Sequence, residues 1–134
     1  MKDNILSILG VLEGFKTAIQ NTHWAAANHS QHKQCDELSE LVSSKEDEIA
    51  EIAQGLYGQL DNNSVKPTAY SVSTAKQMVE DLTKKVEEFY STLTDEEIGL
   101  KSCVEDFIGQ LNQQNYLFDL VVSENYMRDI LRTL

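Results

Sequence analysis

Apolar residues near the start of the chain recur at three- and four-residue steps. Ile5, Ile8, Leu9, Leu12, Phe15 and Ile19, with Thr22 closing the series, share one helical face and predict a first helix, α1, over residues 3–26. His23 follows Ile5 by 18 residues, about five turns, so it extends that apolar face rather than the watery one. Asn28-His29-Ser30-Gln31 then reads as a helix start with Asn28 as N-cap. The second helix, α2, runs from that cap to about residue 57, with Leu38, Leu41, Val42, Ile49, Ile52, Ala53 and Leu56 as its apolar stripe. Residues 58–74 contain Asp61-Asn62-Asn63-Ser64 and Pro67, and predict one sizeable connection carrying a short helix near Ala69. Ala75, Met78, Val79, Leu82, Val86, Phe89 and Leu93 mark a third helix, α3, over residues 73–93. Thr94-Asp95-Glu96-Glu97 reads as a capping box opening a long fourth helix, α4, which continues through Tyr126 to Leu131. The α4 face is predicted from Ile98, Cys103, Val104, Phe107, Ile108, Leu111, Tyr116 and Leu117, with Arg128 and Arg132 near its negative end.

Four helices with short first and last connections and a long middle one predict an all-α, four-helix bundle with one long crossover connection between α2 and α3. That is the layout of ferritin-like folds. A single proline and six glycines in 134 residues leave few helix breakers and fit one domain spanning residues 1–134. Charge narrows the partners. With 11 Lys and Arg against 22 Asp and Glu, the net charge is -11 and the pI about 4.5, which repels phosphate backbones. The N-terminal residues carry no Lys-rich arm, so no nucleic acid partner is expected. The apolar run at residues 5–12 is too short for a membrane span and lacks a signal-peptide cleavage site, so no membrane partner is expected. Cys35 and Cys103 form neither a C-x-x-C pair nor a disulfide framework, and are read as buried thiols in a reducing, cytoplasmic setting.

The chemistry concentrates in residues 21–58, which hold all three histidines, the only tryptophan and a spaced set of carboxylates. At about 100° per residue from Leu38, the α2 apolar stripe lies within about 60° to either side, whereas His32, Asp36, Asp47 and Glu51 fall at about 120°, 160°, 180° and 220°. These four therefore face away from their own core. At about 1.5 Å per residue, Asp36 and Asp47 sit about 16 Å apart along the axis, too far to share one ion with bonds of about 2 Å. Two half-sites follow, His32 with Asp36 and Asp47 with Glu51, which meet across chains if two α2 helices pack antiparallel about a two-fold axis. An acidic stripe is more often simply solvated, but Ser39, Ser43 and Ala50 on the same side permit close helix approach. Imidazole and carboxylate donors suit iron, while the missing thiolate set argues against structural zinc. His29, His32 and Cys35 form an alternative zinc cluster that leaves its fourth ligand unspecified, and His29 alone reads as a cap or loop residue.

On these residues the sequence resembles the Dps-type mini-ferritins of the ferritin-like superfamily. The resemblance rests on His23-Trp24, on His32 followed four residues later by Asp36, and on Asp47-Glu48-Ile49-Ala50-Glu51, with 11 residues between Asp36 and Asp47. The α1–α2 connection is about three residues shorter than is usual in that family and lacks its Gly-Pro element. The resemblance implies a homo-oligomer, a hollow dodecamer built from two-fold dimers, that oxidises Fe(II) with hydrogen peroxide or dioxygen and stores the ferric product. Its di-iron sites would be shared between two subunits, with His23, His32 and Asp36 from one chain, Asp47 and Glu51 from the other, and Trp24 beside the iron or in plain interface packing. These five residues are the candidate catalytic and metal-binding set. The opposing expectation is a non-enzymatic helical assembly or adaptor protein that keeps the bundle and stores no iron.

Overall fold

The computed structural model describes residues 1–134, with the side chain of residue 125 left outside the description. Four helices, α1 (Asp3–Trp24), α2 (His29–Tyr57), α3 (Ala75–Ser91) and α4 (Ile98–Thr133), are the regular elements of the described residues, which contain no strand. No helix among them is long and apolar enough to cross a membrane. Helix pairs α1–α2, α2–α4, α4–α3 and α3–α1 are in contact, so the helices occupy the corners of a square with α1 opposite α4 and α2 opposite α3. Directions follow from side-chain bonds. Asn4 Nδ2 donates to Thr92 Oγ1 at 2.9 Å, while the Thr22 hydroxyl reaches Met78 Sδ at 3.6 Å, making α1 and α3 antiparallel. Gln34 with Gln114, Lys45 with Asp106 and Tyr57 with Glu97 make α2 and α4 antiparallel in the same way.

The apolar stripes meet in one core that includes Ile5, Leu12, Ile19, Leu38, Ile49, Met78, Leu82, Leu100, Phe107 and Leu111. Every α1 position predicted from the periodicity is buried. On α2, Leu56 is 48% exposed, and Lys45 is buried on the stripe, its ammonium 2.6 Å from Asp106 and 3.3 Å from Glu48. On α4 the buried face includes Leu100, Cys103, Val104, Phe107, Leu111, Phe118 and Val121, whereas Ile98 and Tyr116, both predicted inside, are exposed. Ile98 is the first residue of the helix and precedes any covering turn.

The caps explain the helix starts. Asn28 Oδ1 accepts from the Gln31 amide at 2.9 Å, and the Thr74 hydroxyl accepts from the Gln77 amide at 3.0 Å. The predicted capping box at Thr94 corrects differently. Glu97 does reach back to the Thr94 amide at 2.8 Å, but residues 95–96 form a turn and α4 begins only at Ile98. Glu97 is instead a buried anchor, receiving the Tyr57 hydroxyl at 2.6 Å and the Lys2 ammonium at 3.3 Å. Burial alone would raise its carboxyl, but hydrogen bonds from Tyr57, the Thr94 backbone and hydroxyl, and Lys2 outweigh it and hold the group at about 2.

Residues 58–74 contain no helix, which corrects the expectation near Ala69. The segment instead lies as an extended strap along α1. The Thr68 amide donates to Gly10 O at 2.9 Å, and the Tyr70 ring stacks on Phe15 with centroids 4.3 Å apart. The Tyr70 hydroxyl donates to Asp81 on α3 at 2.5 Å. Glycine is required under it, because a Cβ on Gly10 would stand 2.2 Å from Lys66 O and one on Gly14 1.7 Å from Thr68 O. One backbone bond and the Tyr70 side chain hold the strap against the bundle.

Candidate metal centre at the α1–α2 hairpin

His23 ends α1, His32 occupies the first turns of α2, and Asp36 lies one turn further on. The tight connection between the two helices turns these side chains toward each other. The imidazoles of His23 and His32 stack with centroids 3.7 Å apart and planes at 29°. Each ring bonds the other's backbone, with His23 Nδ1 3.0 Å from His32 O and His32 Nδ1 3.2 Å from His23 O. A carbonyl oxygen only accepts, so Nδ1 is the donor in both bonds, and in a neutral imidazole the ring's lone pair then lies on Nε2. This arrangement, with one ring nitrogen tied to backbone and the other open, is how ligating histidines are usually oriented.

Asp36 completes the cluster, its Oδ1 3.2 Å from His23 Nδ1. One ligand atom from each of His23, His32 and Asp36 lies within 4.8 Å of the others. Ligands about 2 Å from a common ion stand up to about 4 Å apart, so this set is somewhat wider than a bound cation requires. The His23 side chain is 15% exposed and Asp36 61%, giving a site rooted in the hairpin and open on one side. The short connection therefore leaves His23 aimed at His32 and Asp36. Trp24, the next residue, is 72% exposed and packs against nothing that would bury it.

Asp47 and Glu51 are not part of this cluster. Both are exposed on the same side of α2, 11 and 15 residues beyond Asp36. The alternative zinc set is not assembled either, because Cys35 is fully buried in the core while His29 is exposed. Burial, with the neighbouring Asp36 charge, pushes the Cys35 thiol up to about 11, which removes it as a ready thiolate. Cys103 is buried with its thiol pushed up to about 11 for the same main reason.

One group near Asp47 escaped the sequence reading. Asp47 borders a cavity of about 290 Å3 under the strap, together with Glu13, Glu46, Ala50, Leu60 and Val65. Lys16 bridges the two glutamates, 3.4 Å from Glu13 and 3.3 Å from Glu46. Burial, and then the adjoining Glu13 carboxyl, push Glu46 up to about 7, while its bond to Glu46 holds Glu13 below the usual range. The signal available was angular. Glu46 lies about 80° from Leu38 on the helical wheel, just outside the apolar stripe, where a side chain is half covered by the next element.

A model for a family described only as a family of unknown function, DUF5856, matches residues 23–118, a stretch that contains all five predicted ligands. No curated protein and no solved structure matches the chain. The family match spans more than two thirds of the sequence, and the chain therefore belongs to the DUF5856 family.

Proposed function

We propose that this protein is a Dps-like iron-handling ferroxidase, ferritin-like in architecture, whose iron sites form between two copies of the chain. The observation that carries this reading is the convergence of His23, His32 and Asp36, one ligand atom of each lying within 4.8 Å of the others. Three such donors hold a cation in one chain and leave positions for ligands from outside. Asp47 and Glu51 are the complement. They project unburied from the same side of α2, and antiparallel pairing of two α2 helices brings the partner subunit's Asp47 and Glu51 to the cluster. The connection from α2 to α3, parallel helices at opposite corners, supports the crossover layout of that fold.

Fe(II) is the substrate in this reading. Two Fe(II) ions each give one electron to hydrogen peroxide, which takes up two protons and leaves as two waters. His23, His32 and Asp36 hold one ion, the partner's carboxylates hold the second, and the acidic surface of net charge -11 concentrates cations nearby. The ferric product is stored within a closed assembly, the cytoplasm being the compartment that suits two free thiols.

The test is particle size together with Fe(II) oxidation, measured for the native protein and for Asp47→Ala. Oxidation well above the buffer rate in a large particle, lost in the variant, is the expected result. A native monomer that oxidises iron no faster than buffer sinks the reading and leaves the adaptor function standing.

A further inference from the structure

Helix α4 outruns its own bundle. The Ser30 hydroxyl at the start of α2 bonds Glu124, so residues 125–133 extend about 14 Å beyond the first turn of α2. Along this end, Leu117, Leu120, Glu124, Met127, Leu131 and Leu134 follow one another at alternating steps of three and four. That is the spacing of a two-helix seam, with a single polar member. Among the described residues its outer members are uncovered, with Leu120 44%, Met127 54% and Leu131 64% exposed, while Leu117 is half-buried. A groove of about 310 Å3 lies beside its inner half, between Ser30 and Gln34 of α2 and Leu117, Leu120 and Val121 of α4.

We infer that the α4 ends of two copies pair antiparallel along this seam, with Leu131 and Leu134 of each copy seated in the other's groove. The pattern fixes the register. When Leu117 opposes the partner subunit's Leu134, Leu120 opposes the partner subunit's Leu131 and Met127 opposes the partner subunit's Glu124. All six seam positions then pair, and the one polar position gains a counter-charge, because Arg128 flanks Met127 and lies beside the partner's Glu124. Charge complementarity thus selects a second copy. The chain's two arginines, Arg128 and Arg132, both lie in this segment, while the rest of the surface is strongly acidic. Within the chain, the only charged group recorded near Arg128 Nε among the described residues is Asp129, at 3.7 Å, and that nitrogen has no hydrogen-bond partner there.

The experiment is a mixed cross-linking of full-length chains. Met127→Cys is mixed with Glu124→Cys under mild oxidation. The antiparallel register predicts disulfide-linked pairs in the mixture and few with either variant alone, because like positions stand three residues out of step, beyond disulfide reach. The native Cys35 and Cys103 are buried and do not compete. Arg128→Glu should weaken association about tenfold, and adding Glu124→Arg should restore it. Leu131→Asp, at an exposed position that leaves helicity by circular dichroism unchanged, should abolish the cross-link. Met127→Cys that links to itself as readily as in the mixture overturns the proposal, as does a mixture that yields no cross-link. Because Asp47 is untouched in every variant, failure here is separable from failure of the iron reading.

Discussion

Replacing Gly14 by alanine sets two physical effects of opposite sign against each other. In an exposed helix interior, Gly→Ala stabilises by about 1 kcal/mol through backbone entropy. At Gly14 the new Cβ would stand 1.7 Å from Thr68 O, and that atom is backbone, not the end of a mobile side chain. Ordinary contact needs about 3.5 Å, so the strap must move outward by about 2 Å. A movement of that size breaks the 2.9 Å bond from the Thr68 amide to Gly10 O, worth about 1 kcal/mol. It also opens the Phe15–Tyr70 stack, centroids 4.3 Å apart, worth about 1 kcal/mol more, and draws Tyr70 from Asp81. Adding the loss of strap packing, the net expectation is a destabilisation of about 1–3 kcal/mol, or a melting temperature lower by about 4–10 °C in a chain of this size. Gly109→Ala is the control, because that exposed glycine in the middle of α4 has nothing within 4 Å of its added Cβ and should gain stability. Differential scanning calorimetry on both variants decides the matter. A Gly14→Ala protein that melts as high as Gly109→Ala would show that the strap is not seated on α1.

Stability should peak near pH 4.5–5, between two carboxyls shifted in opposite directions from 4.5. Glu97, held at about 2, stabilises the fold above 4.5 and loses that contribution as pH falls toward 2. The full shift corresponds to about 3 kcal/mol, which solvent screening of the exposed Lys2 end cuts to about 1–2 kcal/mol. Glu46, raised to about 7, favours the fold while protonated, and that contribution disappears as pH rises from 4.5 through 7. Melting temperature against pH should therefore lose its acid limb in Glu97→Gln and its neutral limb in Glu46→Gln, and unchanged limbs would contradict the assignment. Co(II), a coloured probe for nitrogen and oxygen donors, should give a visible band with the native protein that weakens at least tenfold in affinity in His32→Ala; equal binding would remove the histidine cluster as a cation site. Gel retardation at low salt should show no complex with duplex DNA, and tight binding would contradict the charge argument.

The helices were legible because burial imposes a period on sequence, and Ile5 through Thr22 repeat at that period without interruption. The pairing of His32 with Asp36 was legible for a related reason, since the two are one turn apart, while their grouping with His23 was implied only by the family resemblance. What escaped was contact between segments distant in sequence. Glu97 looked like half of a capping box, and only the fold brings Tyr57 and Lys2 onto it. Gly10 and Gly14 read as neutral members of α1 until residues 66–68 lay against them. Ile98 and Tyr116 matched the α4 stripe by chemistry, but the angle of that stripe was set by what α2 and α3 present, which periodicity alone does not encode.

The strap also divides the bundle's outside into used and unused faces. By lying along α1, residues 58–74 occupy with their own backbone the outer side of one corner helix, so that helix has little bare surface left for a neighbouring molecule. The α2 side bearing Asp36 and Glu51 receives no such cover, and Asp47 stands at the strap's edge, bordering the cavity beneath it. A connection that had merely to join two helices thus covers part of one of them.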